Sequence, residues 1–166
     1  MKRFGSAAWN GSLREGKGSV STESRALETY PYTFFSRYGE KPGTNPEEMI
    51  GAAHAACFTM SFVRLLGMAN FVPEHVDSKS EVVIEKDGDG FSITSVHLTV
   101  TAKIPGIDQA TFQSIAAKAK AGCPVSKLMK VEIGFEANLL SPDDITRLIL
   151  EAANPTHAQH ERSKER

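Results

Sequence analysis

Cysteine is scarce in this chain: Cys57 and Cys123 are the only two among 166 residues. That count excludes the disulfide framework of small secreted domains, and at 18.0 kDa one core buries enough apolar surface to fold without bridges or metals. Neither C-x-x-C nor H-x-x-x-H occurs, so zinc-site spacings are missing, and no cofactor or metal is expected. Charge of one sign is lacking as well. Lys and Arg number 19 against 20 Asp and Glu, a net charge of -1, which gives no electrostatic footprint for nucleic acid or an anionic membrane. GKGS at 16–19 is not a phosphate loop, because the first glycine of the required spacing is absent. The basic start MKRF is followed by no apolar stretch of signal-peptide length, and no later run is expected to span a bilayer. These absences point to a soluble, cytoplasmic, single-domain protein whose partners are small molecules or other protein chains. In a reducing compartment the two thiols are inert core residues, a transient redox pair, or one reactive thiol.

What is present falls into a readable order. FGSAAWN and GKGSVSTES alternate short apolar segments with Gly and Ser, which predicts a hairpin of exposed strands. YPYTFFSRYGEKPG at 30–43 is aromatic, broken by Pro and Gly and poorly periodic, and reads as an extended segment followed by a loop. TNPEE then combines helix-start signals: Thr44 or Asn45 as N-cap, Pro46 at the first helical position, Glu47 and Glu48 in the first turn. The helix that follows, MIGAAHAACFTMSFVRLLGM, holds one formal charge, Arg64, and is apolar around most of its circumference. Such a helix is expected inside the molecule. Its run of Gly51, Ala52, Ala53, Ala55 and Ala56 admits close approach of another backbone.

Residues 80–104 alternate around Asp87-Gly88-Asp89-Gly90, a strong hairpin signal. Asp108 can cap a second helix with the face Ile107, Phe112, Ile115, Ala116 and Ala119, ending at Gly122. Cys123-Pro124 opens a short helical pattern, VEIGFEANLL reads as a strand, and Ser141-Pro142-Asp143-Asp144 starts a third helix, ITRLILEAA. Residues after Pro155 are polar.

The two cysteines differ in setting. Cys123 stands where a helix begins, so its sulfur can face free amides that favour the thiolate. Cys57 lies mid-helix in apolar company, which raises a thiol's pKa unless a cation reaches it. Arg64, Arg37 and His54 are the candidates. His54, three residues before Cys57, can share its face; that pair would suggest an acyl-transfer nucleophile, and a histidine packed on a buried helix is equally compatible.

PGTNPEEMIGAAHAACF, the preceding FFSRYGE and the later PGIDQATFQSIAAKAKAGCPVSKLMK together closely resemble the osmotically inducible protein C (OsmC) branch of the OsmC/organic hydroperoxide resistance family of thiol peroxidases. The likeness runs in order from about residue 4 to residue 140, so residues 1–140 form the expected domain and residues 141–166 an extension without assigned role. The resemblance implies an α+β fold in which antiparallel sheets pack around a long buried central helix, and an intertwined homodimer with active sites at the interface. It implies a peroxidase taking organic hydroperoxides in preference to hydrogen peroxide, regenerated by a dithiol reductant of lipoyl type. It also implies roles: Cys57 as the peroxidatic thiolate, Cys123 as the resolving thiol, Arg37 stabilising the thiolate and orienting the peroxide, and Glu47 holding Arg37. The alternative is a redox-sensing or ligand-binding protein of the same fold.

Glu47 and Cys57 are ten residues apart, about 15 Å along one straight helix, and cannot meet within it. Two such helices crossing at their small-residue surfaces would bring the first turn of one chain to the middle of the other. Lowering a thiol's pKa by about two units takes roughly 2.7 kcal/mol, more than a screened surface contact supplies. Arg37 is therefore expected to be partly buried at that interface.

Overall fold

A computed structural model describes residues 1–141 and Asp144 of the chain. The Gly- and Ser-rich opening forms the predicted hairpin, β1 (Gly5–Asn10) against β2 (Lys17–Thr22), and β3 (Tyr30–Tyr32) adds to β2 to complete an antiparallel sheet. Trp9 and Tyr32 brace it, their ring centroids 5.4 Å apart. Most of β1 stays exposed.

The aromatic stretch departs from the expected loop. Phe34–Tyr38 form a short helix, α1, because Thr33 and Ser36 close a capping box: the Ser36 N–H donates to Thr33 Oγ1 at 3.0 Å and the Thr33 N–H to Ser36 Oγ at 2.8 Å. Five residues are too few to register as a period, so the capping pair carried the signal. Ser36 Oγ also donates to the Thr44 carbonyl at 2.9 Å, tying α1 to the start of the next helix.

That helix, α2 (Pro46–Met68), begins as predicted, with Asn45 Oδ1 accepting from the Glu48 N–H at 2.8 Å and Pro46 in the first turn. Two expectations about it need correction. It spans 23 residues and holds a stretch with a mean hydropathy of 1.4, long and apolar enough to cross a bilayer; instead it packs on its own chain. It is also not buried all round. Glu47, Gly51, His54, Phe58, Phe62 and Leu66 form one buried stripe, while Ala53, Ala56, Met60, Val63 and Gly67 are exposed. Both sets recur at three- and four-residue spacing, so the apolar circumference resolves into a covered stripe and an uncovered one.

β4 (His75–Asp87) and β5 (Gly90–Lys103) form the second predicted hairpin, where Gly88 takes a φ of 58° in the two-residue turn. α3 (Gln109–Gly122) is capped by Asp108, whose Oδ1 accepts from the Thr111 N–H at 2.9 Å, and buries Phe112, Ile115, Ala116 and Ala119 as its pattern predicts. α4 (Pro124–Leu128) follows at once, with Cys123 as both the last cap of α3 and the first of α4. β6 (Ile133–Leu139) then pairs with β5 in parallel. This departs from the antiparallel expectation, because the two intervening helices carry the chain back across the sheet. Asp144 N–H donates to Ser141 Oγ at 3.2 Å, matching the S-P-D-D start; the helix expected over ITRLILEAA, and almost all of the extension, lie outside the described residues.

The core gathers Phe58, Phe62 and Leu66 from α2, Leu98, Val100 and Ala102 from β5, and Phe112 and Ala116 from α3, all fully buried. Each buried phenylalanine contributes roughly 1.5–3 kcal/mol. Close approach of α2 to the sheet depends on Gly51: a Cβ there would sit 2.6 Å from the Ser80 carbonyl oxygen of β4. The glycine of the alanine-rich run is thus spent on the chain's own sheet. Gly51→Ala should lower the unfolding free energy by about 1–3 kcal/mol, the range for overpacking, in a urea melt; a melt within about 0.5 kcal/mol of wild type would mean that α2 and β4 separate freely.

Candidate active site

α2 carries Cys57 to a half-buried position beside the α3–α4 junction, where Cys123 is buried with 0% exposure. Both are free thiols, and Cys57 packs against the core cluster that contains Cys123. Burial pushes the Cys57 thiol up; the Val125 N–H opposes this, and the neighbouring Cys123 thiol pushes it further up. For Cys123, burial also acts upward, but the Ser126 amide and hydroxyl, Cys57 and the Val125 amide together outweigh it and hold the thiol below its ordinary value. No side-chain cap hydrogen bond closes on this sulfur. A cation near Cys57 would oppose the upward push of burial on its thiol.

The cation is elsewhere. Arg37, in the last turn of α1, donates from Nη2 to Glu47 Oε1 at 2.6 Å and from Nε to both Glu47 oxygens at 3.2 Å. Such a fork on a carboxylate fixes orientation as well as charge. Glu47 is 10% exposed and Arg37 34%. The first-turn glutamates, equivalent by sequence, separate here: Glu48 accepts from the Thr44 hydroxyl, and Glu47 alone takes the arginine. The four residues thus fall into two pairs, Cys57 with Cys123 and Arg37 with Glu47, set apart by ten residues of α2, about 15 Å. Arg64 meets the Met68 sulfur at 3.3 Å on the exposed side.

His54 has both ring nitrogens occupied: Nδ1 lies 2.8 Å from Ser80 Oγ and Nε2 2.9 Å from Ser126 Oγ. Neither is left for Cys57, which removes the Cys57/His54 acyl-transfer pair. Sequence reasoning missed Ser80 and Ser126. For Ser126 a signal existed in C-P-V-S, which sets Cys123 and Ser126 at the cap and third positions of α4; for Ser80, in a strand paired only by the tertiary fold, there was none.

An apolar cavity of about 360 Å³ is lined by Ile50, Ala53, Ile93, Val96, Val125 and Met129 among others, with Ala53 one turn before Cys57 and Val125 two residues after Cys123. The aromatic residues of 30–38 pack elsewhere, Phe34 on Tyr38 and Tyr38 on Phe91. Among the described residues no group of His, Cys, Asp and Glu converges to hold a metal.

Fold and site define a class: an α+β protein with paired thiols where a long central helix meets a helix junction. The family model described as OsmC-like protein matches residues 39–138. Peroxiredoxin OsmC of Escherichia coli K12 is 49% identical over 141 residues, 85% of this chain and 99% of that protein. The organic hydroperoxide resistance protein of Xanthomonas axonopodis pv. citri is 34% identical over 98 residues, 58% of this chain and 67% of that protein. Among solved structures, an organic hydroperoxide resistance protein from Elizabethkingia anophelis aligns with a TM-score of 0.65 at 21% identity, covering 84% of this chain and 99% of that one. An OsmC-like protein from Mycoplasma pneumoniae aligns at 0.67 with 13% identity, covering 85% and 99%; at these identities the likeness is one of fold. The chain belongs to the OsmC family.

Burial, and secondarily Lys120, hold His54 below its ordinary value of 6.5. The unfolded chain therefore takes up this proton first as pH falls, so the contribution of His54 to stability is complete above 6.5 and is lost toward its lower folded value. In urea melts below that pH, the wild-type unfolding free energy should fall more steeply than that of His54→Gln. Parallel curves would mean that His54 titrates alike in both states.

Proposed function

We propose that this chain reduces organic hydroperoxides to alcohols in the cytoplasm, with Cys57 as the attacking sulfur, Cys123 as the resolving sulfur and two active sites per homodimer. The observation that carries this reading is that the fold brings together two free thiols 66 residues apart in sequence, Cys123 buried in the core cluster and Cys57 packed against it. Relatives named peroxiredoxin and organic hydroperoxide resistance protein support a peroxidase role in hydroperoxide stress. The apolar cavity lined by Ala53, one turn before Cys57, and Val125, two residues after Cys123, favours substrates carrying an organic group over hydrogen peroxide.

In the first step the Cys57 thiolate attacks the terminal peroxide oxygen. An S–O bond forms, the O–O bond breaks, and the departing alkoxide takes a proton to become the alcohol. In the second, a Cys123 lone pair attacks the Cys57 sulfenic sulfur. The S–S bond forms, the S–O bond breaks, and the hydroxyl leaves with a proton as water. A dithiol, of lipoyl type, then reopens the disulfide and is itself oxidised to a disulfide.

A second copy supplies the cation. The uncovered stripe of α2 offers small and flexible apolar side chains, Met60 being 75% exposed, and such a seam packs helix on helix. Crossing two copies there carries the Arg37–Glu47 clamp of one chain to Cys57 of the other. The raised Cys57 thiol favours a second reading, slow oxidation as a sensor, if that clamp does not arrive.

A free-thiol count before and after one equivalent of an organic hydroperoxide tests the chemistry. Wild type should lose both thiols within seconds, Cys57→Ser should keep Cys123, and Cys123→Ser should stop at a sulfenate. Oxidation without turnover when a dithiol is supplied would favour the sensor, and retention of all thiols would reject both readings. Complementation tests the shared site: mixed dimers of Arg37→Ala with Cys57→Ser contain one site with both residues intact only if Arg37 serves the partner. Such dimers should recover activity that neither parent shows; no recovery would place Arg37 in its own chain's site or outside the reaction.

A further inference from the structure

Resting on the two-thiol reading, the geometry points to His54 and Ser126 as positioning residues for the second step, a part-buried hydrogen-bond chain that anchors the first turn of α4 and so holds its capping residue, Cys123, in place to attack the Cys57 sulfenic acid. His54 is fully buried, which for a histidine is costly unless both ring nitrogens are satisfied. They are, by Ser80 Oγ at 2.8 Å and Ser126 Oγ at 2.9 Å. The three groups come from β4, α2 and α4, so the chain crosses the molecule from the sheet to the helix junction that bears Cys123. A neutral imidazole has one donor and one acceptor. When Nε2–H donates to the Ser126 oxygen, Nδ1 accepts from the Ser80 hydroxyl. Ser126 stands three residues into the α4 turn that Cys123 caps, so the anchor ends in the turn that bears this thiol. Lys120 is the charged group that acts on His54, and it favours this neutral ring.

Gly51 and His54 stand one turn apart on α2 and both face Ser80, so the close approach at Gly51 is what sets the first hydrogen bond. His54 is also the least apolar residue of an otherwise apolar stretch of the buried stripe. A packing role alone would be met by leucine without two serines to satisfy.

The chemistry assigned to the chain is limited to closure. The Cys123 lone pair forms the S–S bond as the Cys57 S–O bond breaks, the hydroxyl leaves as water, and the proton that Cys123 gives up is conserved in that water. Peroxide cleavage at Cys57 precedes this and draws on Arg37 instead.

Stopped-flow measurement of the two steps, with trapping of the sulfenate by a dimedone probe, separates these demands. Ser126→Ala removes one oxygen from a half-buried position, and Ser126→Thr restores the hydroxyl. Closure in Ser126→Ala should slow by roughly tenfold to a hundredfold, as leaving the buried His54 ring without this partner implies. Sulfenate formation should change much less, and Ser126→Thr should recover most of the closure rate. Closure at the wild-type rate in Ser126→Ala, equal slowing of both steps, or no recovery in Ser126→Thr would overturn the inference. If wild type itself forms neither sulfenate nor disulfide, the two-thiol reading fails and takes this one with it.

Discussion

A helix rises 1.5 Å per residue, and that fixed pitch governs the whole arrangement. α2 places its carboxylate Glu47 in its first turn and its thiol Cys57 at its middle, so no rotamer of either brings them together. Arg37 is bound to Glu47 by three contacts and inherits the separation. A single chain thus contains every group of the implied site and leaves the site divided. The same helix carries an uncovered apolar stripe, and the first sheet leaves most of β1 exposed. A three-stranded sheet with little of its surface covered is marginal by itself. The divided site and the uncovered surface both follow from the length of α2, and the proposed dimer would join the one by covering the other.

The buried side of α2 answers a different demand. Phe58, Phe62 and Leu66 fill the core, while one turn earlier Gly51 and His54 meet the sheet through backbone proximity and hydrogen bonds. The stripe changes character along its length, from polar and small near the amino end to large and apolar near the carboxyl end. The thiols sit at the border. On one side they have apolar core that raises a thiol's pKa, and on the other they have oriented donors that lower it, which is why two cysteines in contact are shifted in opposite directions.

Much of this was legible from local patterns. Asn45, Pro46 and Asp108 mark their helix starts, DGDG marks its hairpin, and the buried face of α3 follows from spacing alone. Where the reading failed, the deciding force was not local. α1 is too short to show a period and rests on a Thr33–Ser36 box. The parallel pairing of β5 and β6 depends on how two helices return the chain. The covered and uncovered stripes of α2 are equally apolar in sequence, and only packing separates them. At the candidate site, both cysteines, Arg37 and Glu47 were read from a family pattern, whereas Ser126 carried only the cap spacing of C-P-V-S and Ser80 carried no signal, because its strand meets His54 only through the tertiary fold.

The burial of Cys57 sets a condition on that division. Making Cys57 the charged sulfur, as the proposed reaction needs, requires overcoming the upward push of burial on its thiol, each unit of pKa being worth about 1.4 kcal/mol. An arginine contact in water contributes about 1 kcal/mol at most, and Arg37 in the single chain is still 34% exposed. Only desolvation strengthens such a contact enough. Glu47 is then more than a tether. By compensating the guanidinium as it leaves water, it lowers the penalty of burying that charge, while its hold on Nε and Nη2 leaves the rest of the guanidinium free of the carboxylate. The requirement that a cation be dry, fixed and still able to face a thiol is hard to meet with a lone arginine; the Arg37–Glu47 fork fixes the guanidinium within one chain, and in the proposed dimer a second helix would deliver it.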